Sequence, residues 1–180
     1  MSVNAITRLT FERTTMKKFL TNLVCALAIT TSFMPAAKAQ PATDEVLLKE
    51  VYSLLVENRA AAAAIASSMG IATSKVLPQP GVQAEMNNVL AVRNQHLFKQ
   101  IAAKLGVDVA TSIPTGGTII EQNNLILRGN RMVVKEILLA LGLDTSAGLP
   151  MKGSLVEQNR DLLLGNKNAL KAISDKLGVK

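Results

Sequence analysis

The sequence predicts an all-α protein, four long helices folded as an up-down four-helix bundle. Three observations predict it. A unit of 36 residues recurs four times: Asn58, Asn94, Asn130 and Asn166 lie on one step, Ile65, Ile101, Ile137 and Ile173 on a second, and Gly70, Gly106, Gly142 and Gly178 on a third. Apolar residues inside each unit return every seven positions, the spacing of one helix face. Helix start and stop signals bracket each apolar run. An elongated helical array and a solenoid of short helix pairs are the alternatives.

Residues 1–15 precede a better start and read as a misassigned start or an extension. Residues 16–39 have the three parts of a secretory signal peptide. Met16-Lys17-Lys18 opens a basic region, Phe19 to Phe33 is apolar, and Ala37-Lys38-Ala39 is a small-x-small cleavage site before Gln40. The apolar stretch is short of the roughly 20 residues that span a bilayer. The expected localisation is therefore periplasmic or secreted, with no transmembrane helix after processing. The mature chain, 40–180, is a four-repeat helical domain.

Processing changes the charge. The whole chain is +7, from 20 Lys and Arg against 13 Asp and Glu. Five of the bases (Arg8, Arg13, Lys17, Lys18, Lys38) and one acid (Glu12) precede residue 40, which leaves 15 against 12 and a net charge of +3. The lone cysteine, Cys25, falls in the signal segment, so the mature chain forms no disulfide.

The helices are expected at about 46–69, 82–105, 118–141 and 154–177. Thr118 with Glu121, and Ser154 with Glu157, form capping boxes: the hydroxyl accepts a free backbone amide and the carboxylate reaches back. Leu105-Gly106-Val107 and Leu141-Gly142-Leu143 are stop signals, glycine taking the left-handed conformation that ends a helix. Gly129-Asn130 and Gly165-Asn166 invite a break in mid-helix. The apolar phase argues for continuity, because Ile120, Leu127, Val134 and Leu141 keep a seven-residue step straight through. Loops such as 106–117, about 12 residues long, are just able to return along a ~36 Å helix. Antiparallel neighbours need less chain, hence the up-down choice.

The candidate site residues are asparagines. Asn58, Asn87, Asn94, Asn123, Asn130, Asn159 and Asn166 occupy the centre of the seam. Their first role is structural: a buried amide needs a partner and so penalises slipped registers. A polar interior that binds an ion or small molecule is the functional alternative. The third helix adds a second apolar stripe, Leu125, Met132 and Leu139, a partner interface if it faces outward. The equivalent positions in the fourth helix are Asp161, Asn168 and Asp175.

No catalytic, cofactor or metal residues are assigned. Thr115-Gly116-Gly117-Thr118 resembles the nucleophile loop of bacterial asparaginases, but the repeat makes it a loop and helix cap, equivalent to Pro150 to Ser154. His96 is the only histidine and has no cluster of ligands beside it. Tyr52 and Phe98 are the only mature aromatics, too few for base stacking, so nucleic acid is not an expected partner. The expected function is that of an exported, non-catalytic repeat protein. It acts by self-association or by contact with an envelope protein, with at most weak contact to anionic lipid or polysaccharide. The alternative is a periplasmic ion- or small-molecule-binding bundle with an asparagine-lined interior.

Overall fold

The computed structural model describes residues 43–74, 77–146 and 148–179. Residues 1–15 and the segment 16–39, expected to be a signal peptide, lie outside them. Four helices make up the domain: α1 (Asp44–Ser68), α2 (Gln83–Lys104), α3 (Ile119–Ala140) and α4 (Leu155–Leu177). No strand occurs among the described residues. Each helix is continuous through its central asparagine, which excludes the short-pair solenoid. Helix α1 packs on α2, α2 on α3, α3 on α4, and α4 on α1, so the ring closes and is not an elongated array.

The capping boxes form as the sequence predicts. Glu121 N donates to Thr118 Oγ1 and Thr118 N to Glu121 Oε2; Ser154 and Glu157 repeat the pair. At the other ends Gly70, Gly106, Gly142 and Gly178 have positive φ. The residue after each glycine donates back into the last turn, as Val107 N does to Ala102 O at 2.9 Å and Leu143 N to Leu138 O at 2.9 Å.

The bundle stands, but its helices do not run up and down. Asn87 Nδ2 meets Leu48 O, and seven residues on Asn94 Nδ2 meets Leu55 O. Progress along α2 is therefore progress along α1 in the same direction. Asn123 with Ala84 O, and Asn130 with Ala91 O, show the same for α3 on α2. One apolar cluster gathers residues from the N-terminal halves of all four helices, among them Leu55, Leu90, Ile126 and Leu163. The other gathers the C-terminal halves around Ile65, Ile101, Ile137 and Ile173. All four helices are parallel.

The loops make this possible. Residues 69–82, 105–118 and 141–154 lie between the helices. Fourteen residues reach roughly 46 Å when extended, more than the ~33 Å of a 22-residue helix. Their middles lie beside the middles of helices: Arg59 Nη2 donates to Ser74 O at 2.7 Å, and Lys99 Nζ to Thr111 O at 3.0 Å. A seven-residue apolar phase is indifferent to the direction of a neighbour, so the seam is as expected while the direction differs. The charge pattern separates too. Asp44, Glu45, Glu85, Glu121 and Glu157 collect in the first turns at one end, with Lys104 and Lys176 at the other, instead of mixing as antiparallel packing would require.

Candidate functional site

Between the two apolar clusters lies a layer of four asparagines. Asn58, Asn94, Asn130 and Asn166 are each 1% exposed. Asn94 Nδ2 donates to Leu55 O, Asn130 Nδ2 to Ala91 O, and Asn58 Nδ2 to Leu163 O, each at 3.0 Å. The rule is the same each time: the amide reaches the backbone carbonyl three residues before the asparagine of the preceding helix. Because α1 obeys it toward α4, the ring closes without offset and the four residues share one level. The partner that the buried amide needs is a backbone carbonyl of the neighbouring helix. The side-chain oxygens of all four, and Asn166 Nδ2 as well, are buried without a protein partner.

A second layer lies two turns toward the N-terminal end, made of Val51, Asn87, Asn123 and Asn159. Asn87 and Asn123 donate to the preceding helix by the same rule. Here the oxygens are also met: Asn88 Nδ2 donates to Asn123 Oδ1 at 2.9 Å, Asn124 Nδ2 to Asn159 Oδ1 at 2.8 Å, and Gln83 Nε2 to Asn87 Oδ1 at 3.4 Å. The paired donors Asn88 and Asn124 stand one residue after the seam asparagine of the helix before.

In the middle layer that same position holds longer side chains: Arg59, Gln95, Arg131 and Lys167. They overshoot the amide oxygens and cross to the position just before the next asparagine. Arg131 Nη1 donates to Gly165 O at 2.9 Å. Lys167 Nζ pairs with Glu57 Oε2 at 2.7 Å, closing the ring on α1. Gln95 crosses to Gly129, where a Cβ would lie 3.0 Å from its Nε2. Gly129 is therefore a clearance for a crossing side chain inside an unbroken helix, while at Gly165 an added Cβ would still make only ordinary contact with Arg131. Burial pushes the Arg131 guanidinium pKa below its ordinary value. The fourth crossing sets Arg59 against Arg93; burial first, and the Arg93 charge second, lower the pKa of Arg59.

Searches of protein-family models, of curated proteins and of solved structures each found no match to this chain. The reading therefore rests on the site itself. Among the described residues no group of three or more His, Cys, Asp or Glu side chains could hold a metal ion. None of their helices is long and apolar enough to cross a membrane. Thr118 is a helix cap, as the repeat indicates. Leu125, Met132 and Leu139 are 55%, 54% and 55% exposed, so the second stripe of α3 faces away from the bundle. His96 is exposed on α2, beside Arg93 and Lys99 in a groove that the sequence did not disclose.

Proposed function

We propose that the protein is an exported, non-catalytic helical bundle that acts by contact, and that the contact is between copies of this chain across the outer face of α3. The observation that carries the reading is the exposed stripe Leu125, Met132 and Leu139. A row of exposed apolar side chains, one every two turns, on a bundle that already has its own core supports an interaction surface. Its spacing is symmetric about Met132. Two α3 faces laid antiparallel about a two-fold axis would bring Met132 onto Met132 and Leu125 onto Leu139, the self-complementary pattern of an isologous dimer. The segment Met16 to Ala39 supports export to the periplasm or the medium, and no acid–base constellation for an enzyme stands out among the described residues.

The test is native mass measurement of the chain from Gln40, together with its Met132→Glu variant. The expected result is a dimer for the parent and a monomer of unchanged helicity for the variant. A parent that stays monomeric at high micromolar concentration rejects self-association.

A second reading is favoured by the five unpaired amide atoms of the middle layer. Four neutral oxygens at one level suit a small monovalent cation more than a divalent one, which favours carboxylates. Melting in potassium, sodium and a bulky organic cation at equal ionic strength tests it. A rise of several degrees with one small cation supports a bound ion, and identical melts assign the layer to ordered water.

A further inference from the structure

We propose that the groove over α2, between the loop that enters it and the loop that leaves it, is a binding site for a small anionic ligand bearing a phosphate-like oxyanion. This goes beyond the contact reading and concerns a different face. The groove encloses about 890 Å³, room for an oxyanion that carries an organic group. Its lining includes Arg59, Arg93, His96 and Lys99, and no carboxylate among the described residues. Oxyanions are bound by this kind of donor set, with guanidinium forks supplying paired hydrogen bonds.

Two independent observations point to a ligand. The first is the pair Arg59 and Arg93. The same crossing is Gln95 on Gly129, Arg131 on Gly165 O and Lys167 on Glu57 at the other three interfaces. Only here among the four crossings do two guanidinium groups face one groove, and the Arg93 charge adds to burial in lowering the pKa of Arg59. Arg59 keeps its bond to Ser74 O at 2.7 Å, and an oxyanion seated between the two guanidinium groups would be held by both. The second is Gln95, only 4% exposed, which lines the groove with a buried Nε2 that has no protein partner. The Thr111 hydroxyl, also in the lining, is likewise buried and unpartnered. Both can donate to an oxyanion. Ala72, Val92 and Ile113 give the remainder of the wall an apolar surface for the ligand's body.

The experiment measures binding of inorganic phosphate to the chain from Gln40, by calorimetry and by melting against chloride at equal ionic strength. The expected result is a saturable phosphate effect. Arg93→Gln should weaken it about tenfold or more, as loss of a charge-assisted hydrogen bond does. Lys99→Gln provides a second reading if that variant folds poorly. Lys135→Gln, on α3 outside the groove, should leave binding unchanged. Equal responses to phosphate and chloride overturn the proposal, as does a Lys135→Gln variant that loses as much as Arg93→Gln. Vesicles of phosphatidylglycerol in phosphatidylcholine distinguish the source. Vesicle binding displaced by phosphate assigns the oxyanion to a lipid headgroup, and its absence assigns it to a free ligand.

Discussion

Two asparagine layers lie one heptad apart in the same ring of helices, with opposite states of pairing. In the layer of Asn87, Asn123 and Asn159 the amide oxygens receive bonds from Gln83, Asn88 and Asn124. In the layer of Asn58, Asn94, Asn130 and Asn166 none of the four oxygens has a protein partner. Apart from Val51 the seam residues are asparagines in both layers, and they donate to the preceding helix's backbone by one rule. At Asn123 and Asn159 what differs is the length of the side chain that follows the seam residue of the helix before. Asn88 and Asn124 stop at the neighbouring amide, whereas Arg131 and Lys167 pass over it to the next helix's Gly165 and Glu57. A second residue, not the buried one, decides whether a buried polar group is satisfied.

The most severe test replaces the whole middle layer. Asn58, Asn94, Asn130 and Asn166 all changed to valine follow the chain's own substitution at Val51. The carbonyls that lose a bond, such as Leu55 O and Ala91 O, lie inside helices and keep their helical partners. Each amide freed from unpaired burial is worth roughly 1–3 kcal/mol. The variant is therefore expected to gain about 2–5 kcal/mol in denaturant unfolding after repacking costs. A loss of stability would mean that the layer holds a ligand or ordered water that stabilises the native state.

The paired layer should respond with the opposite sign. Asn159→Val leaves the Asn124 Nδ2, in a residue only 5% exposed, without its acceptor. A loss of about 1–3 kcal/mol is expected, read from the same unfolding curves. If Asn159→Val and a single Asn130→Val shift stability equally, the contrast between the layers is not energetic.

Acid separates the layers from the helix ends. Glu121 and Glu157 have pKa values below the ordinary 4.5 because backbone and hydroxyl donors of Thr118 and Ser154 favour the charged carboxylate. A lowered folded pKa contributes stability above the unfolded value, and that stability is lost as pH falls through the folded one. Melting temperature should therefore decline below about pH 4.5, by the same amount in both asparagine variants, since amides do not titrate. Glu121→Gln should flatten the decline.

The smallest effect concerns the crossing at Gly165. A Cβ at Gly165 would lie 3.5 Å from Arg131 Cζ, an ordinary contact. Gly165→Ala should thus gain about 0.5–1 kcal/mol from helix propensity alone. A loss in the melt would show that the Arg131 crossing tolerates no added atom.

Much of this was legible in the residues. The 36-residue step located all four helices to within two residues at each end. The capping boxes at Thr118 and Ser154 and the stops at Gly106 and Gly142 needed no structure. The unbroken apolar phase through Gly129 was a sound guide to continuity. Direction was not read, because heptads look alike to a parallel and an antiparallel neighbour. The signal was nevertheless present. A repeat of one helix and one loop places Asn94 and Asn130 in the same surroundings only if successive helices point the same way. The groove remained hidden for a related reason: Arg59 and Arg93 are 34 residues apart, and that separation means contact only once the helices are known to be parallel.

The closure of α4 on α1 makes the choice of chain ends arbitrary. Lys167 meets Glu57, and Asn58 meets Leu163 O, by the rules that join every other pair. The end of α4 and the start of α1 therefore lie at opposite ends of a parallel pair, as the end of α2 and the start of α3 do. By the 36-residue step Val179 stands where Val107 does and Thr43 where Thr115 does, so a copy of residues 108–114 joining them would complete a fourth, equivalent return. The chain could then be opened within any of the original loops, giving circular permutants with an undisturbed core. In genetic terms this domain has no first repeat.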